Sequence, residues 1–319
     1  MRNGFIIFWN PGISNPSYVK QQVMSKHTNA TTVRANSTAL SRQLVEQALT
    51  KLELQRRPEP TLEGLHTLYA TWCRHVPFDN VRKIIHVRSG DAGPLPGSTP
   101  EDFFAAWLKY GTGGTCWSGA GALQALLTAL GFDAVRGIAT MLAAPDLPPN
   151  HGTVRVTFGG ACYLVDSAML CVQPLRLESN QETAVVHPAW GLRCSQKNDH
   201  WYVQWRPLHK VDGFECRLEH FGAEAGEFQT KYENTRGWSP FNYEVTARVN
   251  RQDSVVGTAF GHAVKLNNDG SVSRKPINHA ERVRLLIEDI GMSEEIVRQL
   301  PEDVPTPPPP WSRTAQAAS

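Results

Sequence analysis

Apolar positions change their period along the chain, from a helical spacing in its first half to alternation in its middle. Between residues 44 and 130 the spacing is mainly helical, and the clearest case is Leu123, Leu126, Leu127 and Leu130, one stripe of an α-helix. Gly131 stands where the glycine that closes such a helix belongs. Phe103, Trp107 and Tyr110 form a similar stripe, read as core packing and not as an aromatic substrate slot. A Gly/Pro-rich loop at 90–99 interrupts the region. Residues 131–218 predict strands, with Trp201, Tyr202, Val203 and Trp205 in one of them, and residues 240–300 predict more strands and a late helix.

The most regular alternation is a hairpin, Thr153–Phe158 and Ala161–Asp166 joined by Gly159-Gly160. A two-residue turn there sets Phe158 opposite Ala161 and Thr153 opposite Asp166. Val154, Val156, Phe158, Tyr163 and Val165 then share the face predicted to meet the core. His151 and Asp166 fall on the other face as diagonal neighbours, about 7–8 Å apart at the backbone and within side-chain reach. A slip of one residue would undo this pairing.

Upstream lies Tyr110-Gly-Thr-Gly-Gly-Thr-Cys-Trp117, directly ahead of the leucine-striped helix. Cys116 therefore sits at a helix N-terminus, where free N–H groups and the macrodipole favour a thiolate. The same amides are candidates for an oxyanion hole. Gly113 and Gly114 shape the approach to the sulfur. Together the three side chains have the makings of a nucleophile, a base and an orienting carboxylate. Each alone has an ordinary reading: a buried small hydrophobe, a satisfied histidine, a turn aspartate.

The order of these residues resembles the arylamine N-acetyltransferase family, whose signature has Arg-Gly-Gly-Tyr-Cys-Phe-Glu, a His opening a strand, then Leu-Val-Asp-Val-Gly-Phe-Gly. Pro60-Thr-Leu-Glu-Gly-Leu65, Val76-Pro-Phe-Asp-Asn80, Pro174-Leu-Arg-Leu177, Trp238-Ser-Pro-Phe-Asn242 and the helix from Glu281 to Ile287 are similar to further family segments, so the resemblance spans roughly residues 44–300. It matches Cys116, His151 and Asp166 to the family triad. It implies an α+β fold: a helical region (44–130), a β-barrel-like region (131–218) and an α/β lid (219–304). It also implies ping-pong transfer from a CoA or acyl-carrier-protein thioester, through Cys116, to a small-molecule amine; one branch of the family forms amides. The chain departs from the signature at Thr112, Thr115, Trp117-Ser118 and Ser167-Ala168-Met169-Leu170.

Composition adds bounds. Hydrophobic residues make up 41% and charged residues 19%, within the globular range. Lys plus Arg number 32 against 30 acidic residues, which leaves no electrostatic footprint for nucleic acid or an anionic membrane. Six cysteines without a CxxC read as free thiols of a reducing compartment, and their spacing fits no metal ribbon or finger, so no metal is expected. The apolar run Phe5–Trp9 is too short for a signal segment or a membrane span, which makes the cytoplasm the expected location. Residues 1–43 are expected to be an extension with a strand and a polar linker, and 305–319, with five prolines, a disordered tail.

The resulting expectation is an N-acyltransferase with Cys116, His151 and Asp166 as its triad. No bound cofactor is expected, and Trp117 and Trp238 are expected beside the substrate. A thiol hydrolase or transglutaminase-like amidase with the same triad is the alternative enzyme. A non-catalytic scaffold binding a small molecule or a carrier protein is the alternative outside enzymes.

Overall fold

A computed structural model describes residues 39–143 and 147–308. The strand and linker expected near the N-terminus, and most of the proline-rich tail, lie outside the described residues.

Five helices come first: α1 (Arg42–Lys51), α2 (Leu62–His75), α3 (Val81–Arg88), α4 (Pro100–Tyr110) and α5 (Cys116–Ala129). Their starts follow from capping. Ser41 accepts from Leu44 N, Thr61 from Gly64 N, and Thr99 from Asp102 N with Pro100 in the first turn. Gly131 ends α5 at φ 93°: its N–H donates to Thr128 O, and Phe132 N–H donates to Leu127 O. This double closure satisfies two terminal carbonyls. Trp72 stacks on Phe103 at 5.8 Å, and Phe103 and Trp107 are buried in the core as expected; Tyr110, the third residue of the stripe, is only half-buried, at the edge of a second apolar cluster.

Eight strands follow: β2 (Asp133–Met141), β3 (His151–Phe158), β4 (Ala161–Val165), β5 (Leu175–Leu177), β6 (Thr183–Val185), β7 (Leu192–Lys197), β8 (His200–Trp205) and β9 (Phe214–Phe221). They form one antiparallel sheet in the order β5-β4-β3-β2-β9-β8-β7-β6, and its two edge strands meet, so it curls into a nearly closed barrel. The hairpin has the expected register, with Phe158 opposite Ala161 and Val154 opposite Val165. Phe158 is a correction: assigned to the core face, it is 39% exposed, because it sits at the turn, where strand neighbours run out.

A second sheet has the order β1-β10-β11-β12-β13. Its strands are β1 (Phe78–Asp79), β10 (Thr246–Arg251), β11 (Ser254–Ala259), β12 (His262–Leu266) and β13 (Val272–Pro276). Helix α6 (Ala225–Asn234) precedes it, and α7 (His279–Glu288) and α8 (Glu294–Val297) follow. Val81 and Ile84 of α3 join Val249, Leu286 and Ile296 in a separate apolar cluster under this sheet. The helical region is thus not wholly helical, since β1 is an edge strand of the C-terminal sheet.

Candidate active site

The segment carrying Cys116 is held from below by β1. Gly111 ends α4 in the left-handed region at φ 72°, and its N–H donates to Trp107 O at 2.9 Å. The chain then runs past Asp79, whose Oδ2 accepts from Gly113 N at 2.7 Å and whose N–H donates to Gly114 O at 3.0 Å. Gly113 passes so close to Pro77 that a Cβ would stand 1.7 Å from its carbonyl oxygen. Gly114 is equally confined, with Ser118 Oγ 2.3 Å from where its Cβ would be. Both glycines therefore serve an internal close approach. Asp79 is 1% exposed, and burial pushes its carboxyl up to about 6 despite the two amides it accepts from, Gly113 and Val81.

Cys116 is the first residue of α5, buried, with its thiol toward the carbonyl oxygen of Asn150, 3.9 Å away. Asn150 is fixed in turn: its Oδ1 accepts from Met141 N at 2.8 Å and its N–H donates to Ala139 O at 3.0 Å. His151 opens β3 opposite Ala139. Gly152, next along, lets α5 come down on the strand; a Cβ there would lie 3.0 Å from the Trp117 ring and 2.7 Å from Phe228.

His151 Nε2 meets Asp166 Oδ2 at 2.7 Å, which leaves Nδ1 as the ring nitrogen available to Cys116. Both side chains are shut off from solvent. Asp166 Oδ1 accepts from Ala168 N (2.9 Å) and Met169 N (2.8 Å). The Tyr69 hydroxyl brackets the same residue, donating to Asp166 O at 2.8 Å and accepting from Asp166 N at 3.0 Å. Burial alone would lower the His151 pKa, but the charges of Asp166 and Cys116 and hydrogen bonds to both outweigh it and push it up to about 10. Burial likewise works against ionising Asp166, and the His151 charge with the donated hydrogen bonds prevails, so its carboxyl lies below its ordinary value. The arrangement keeps an imidazolium between a carboxylate and a sulfur.

The N-acetyltransferase family profile matches residues 61–295. The chain belongs to the arylamine N-acetyltransferase family. It is 29% identical over 176 residues to an arylamine N-acetyltransferase of Mycolicibacterium smegmatis, an alignment covering 50% of this chain and 62% of the relative. Against an enzyme of that name from Mycobacterium tuberculosis H37Rv it is 31% identical over 144 residues, 42% of this chain and 49% of the relative. The chain thus spans between about half and three-fifths of the length of these relatives.

Among solved structures, the arylamine N-acetyltransferase of Mycobacterium marinum superimposes with a TM-score of 0.66 at 19% identity, covering 81% of this chain and 95% of that one. That of Salmonella typhimurium does so with a TM-score of 0.66 at 18% identity, covering 81% and 97%. The Mycobacterium marinum protein has also been solved in complex with CoA (TM-score 0.65, 19% identity, 81% and 95% covered). At these identities the likeness shows the arylamine N-acetyltransferase fold.

The departures from the family signature have structural correlates. Thr112 is fully buried, and its hydroxyl has no hydrogen-bond partner among the described residues. Ser118 packs against both Gly97 and Gly114, so a longer side chain there would collide with the loops that flank Cys116. Leu170, where the family signature ends in glycine, still adopts a left-handed φ of 53°. Trp117, expected beside substrate, is 2% exposed and stands edge-on to Phe228 at 4.9 Å. Trp238 is half-buried on the turn that follows α6, an element apart from the one that carries Trp117.

Proposed function

We propose that this protein is an N-acyltransferase that moves an acyl group from an acyl-CoA to a small arylamine-type acceptor through a thioester on Cys116. The observation that carries the proposal is the buried line from Cys116 through His151 to Asp166, closed at 2.7 Å. The cysteine thiolate attacks the thioester carbonyl carbon; the new C–S bond forms as the bond to the CoA sulfur breaks, and His151 gives its proton to the departing thiolate. The amine then attacks the acyl-cysteine, His151 takes the amine proton, and the Cys116 thiolate leaves. Asp166 holds the imidazole tautomer and balances the imidazolium. Amides of the first turn of α5, which lack intrahelical partners, are placed to receive the oxyanion. Support for a CoA donor comes from the CoA complex of the Mycobacterium marinum relative. Trp117 acts as a wall of the acceptor site, and Trp238 as a second apolar contact.

The test needs no prior choice of acceptor. Incubation with acetyl-CoA should add one acetyl group to the Cys116 peptide by mass spectrometry, and an arylamine should discharge it as the amide. Cys116→Ser should give no thioester. Discharge to water at the same rate with and without amine would point instead to a thiol hydrolase. Failure of any acyl-CoA or carrier-bound thioester to load Cys116 would overturn the proposal.

A further inference from the structure

Lys83 lies on α3, next to the nucleophile loop, and is only 3% exposed. Among the described residues its ammonium has no carboxylate within ion-pair distance. Its one hydrogen bond goes to Thr235 Oγ1 at 2.8 Å, and that hydroxyl donates onward to Tyr232 O at 2.7 Å. The Tyr232 ring centroid is 5.9 Å away. Lys83 shares the wall of a cavity of about 10 Å³ with Asp79, Thr115, Tyr232 and Arg82. Such a space holds about one water and no substrate.

A buried ammonium answered by a single hydroxyl is costly, and a neutral side chain of the same length would tie α3 to the α6 turn more cheaply. Such an ammonium calls for a negative charge that its hydrogen bond to a hydroxyl does not supply. Asp79, on the same cavity, is taken up by the amides of Val81 and Gly113. Gly113 and Gly114 also line this cavity, and with Thr115 they lead directly into Cys116; Cys116 and Glu233 favour protonation of Lys83, while Arg236 opposes it. Arg236 and Glu233 are paired with each other at 2.8 Å. That leaves Cys116.

We infer that Lys83 is a positioning residue whose buried ammonium is the second counter-charge of the Cys116 thiolate, acting from α3 as His151 acts from β3. The inference rests on the reading of Cys116 as the nucleophile. It gives the site a positive charge beyond the family triad, set beside the loop where Thr112 replaces the signature arginine. Negative charge gathers on the sulfur whenever it takes or releases the acyl group, and Lys83 answers it. Burial pushes the Lys83 pKa down to about 7, so this charge is present in mildly acidic solution and fades above neutrality.

Two alkylating agents of nearly the same shape separate this charge from structure. Iodoacetate is anionic and iodoacetamide neutral; with either, a bond from Sγ to carbon forms and iodide leaves. Rates at Cys116 are read by peptide mass spectrometry on the full chain between about pH 6 and 9. The iodoacetate-to-iodoacetamide ratio should fall about five- to tenfold in Lys83→Met and return in Lys83→Arg, the effect of one nearby unit charge. In the unmodified protein the same ratio should fall across about pH 7, a trend that holds even if Lys83→Met does not fold. An unchanged ratio in Lys83→Met, or a flat one in the unmodified protein, with iodoacetamide labelling still rapid at about pH 6, overturns the role of Lys83 and leaves the thiolate reading intact. Slow labelling by both agents at about pH 6 overturns both.

Discussion

His151 Nε2 lies 2.7 Å from Asp166 Oδ2, and solvent reaches neither side chain. The other carboxylate oxygen is occupied by the amides of Ala168 and Met169, so Asp166 cannot turn without losing two hydrogen bonds. Asp166→Asn should therefore keep its amide oxygen on those backbone donors and aim its NH2 at His151 Nε2. The imidazole must then accept at Nε2 and carry its proton on Nδ1, toward Cys116, where it cannot receive one. Acylation of Cys116 should drop by about 10³–10⁴ with the far-ultraviolet circular dichroism unchanged. Stopped-flow release of CoA measures it, and a loss under tenfold would mean the pair does not set the tautomer.

Tyr69→Phe tests the brace behind the pair. It removes the hydroxyl that accepts from Asp166 N and donates to Asp166 O, and leaves a buried N–H unsatisfied. Urea unfolding should show a cost of about 1–3 kcal/mol. Acylation should slow less than in Asp166→Asn, because the carboxylate keeps its three partners.

Two glycine substitutions should part ways. Gly113→Ala would set a methyl group 1.7 Å from Pro77 O, so the loop must move off β1; a loss above about 4 kcal/mol, or failure to fold, is expected. Gly226→Ala, in the first turn of α6 with open space around it, should stabilise by about 0.5–1 kcal/mol. Thermal melts of the two proteins decide this.

Stability against pH should carry two opposed contributions. His151 has its pKa raised from 6.5 to about 10, so the folded state binds more protons in that window. Its stabilisation is complete below about pH 6.5 and is lost as pH rises through about 10. Lys83 is lowered from 10.5 to about 7, so the unfolded state binds more protons there and stability rises with pH, by ~5 kcal/mol at most. Lys83→Met should accordingly be more stable than the unmodified protein near pH 6, with the advantage gone by about pH 10.5. Equal unfolding midpoints at both ends would show that Lys83 is not buried as an ammonium.

The hairpin and its His151–Asp166 pair were legible in the sequence because alternation and the Gly159-Gly160 turn constrain each other. A register read from both places His151 diagonal to Asp166 with no tertiary information. Other parts left no local signal. Phe78–Asp79 is a two-residue strand, too short for any period to declare it. Tyr69 falls in the apolar stripe of α2, where its hydroxyl is invisible to hydrophobic spacing. Lys83 looks like one more cation on an amphipathic helix, and only the packing of α3 against the α6 turn buries it. Gly152 stands in a strand with nothing to say that Trp117 will need its space. Leu170 contradicts its own backbone preference, adopting a conformation that glycine supplies freely.

The short strand β1 also has a temporal consequence. Asp79, which holds Gly113 and Gly114, belongs to a sheet whose next strand begins at Thr246, and Asn80 Oδ1 accepts from Thr246 N at 2.8 Å. On a ribosome, the platform under the cysteine loop therefore has no neighbouring strand until about 130 residues beyond Cys116 have been translated. The footing of the cysteine loop is thus completed only when a strand about 130 residues downstream of it arrives.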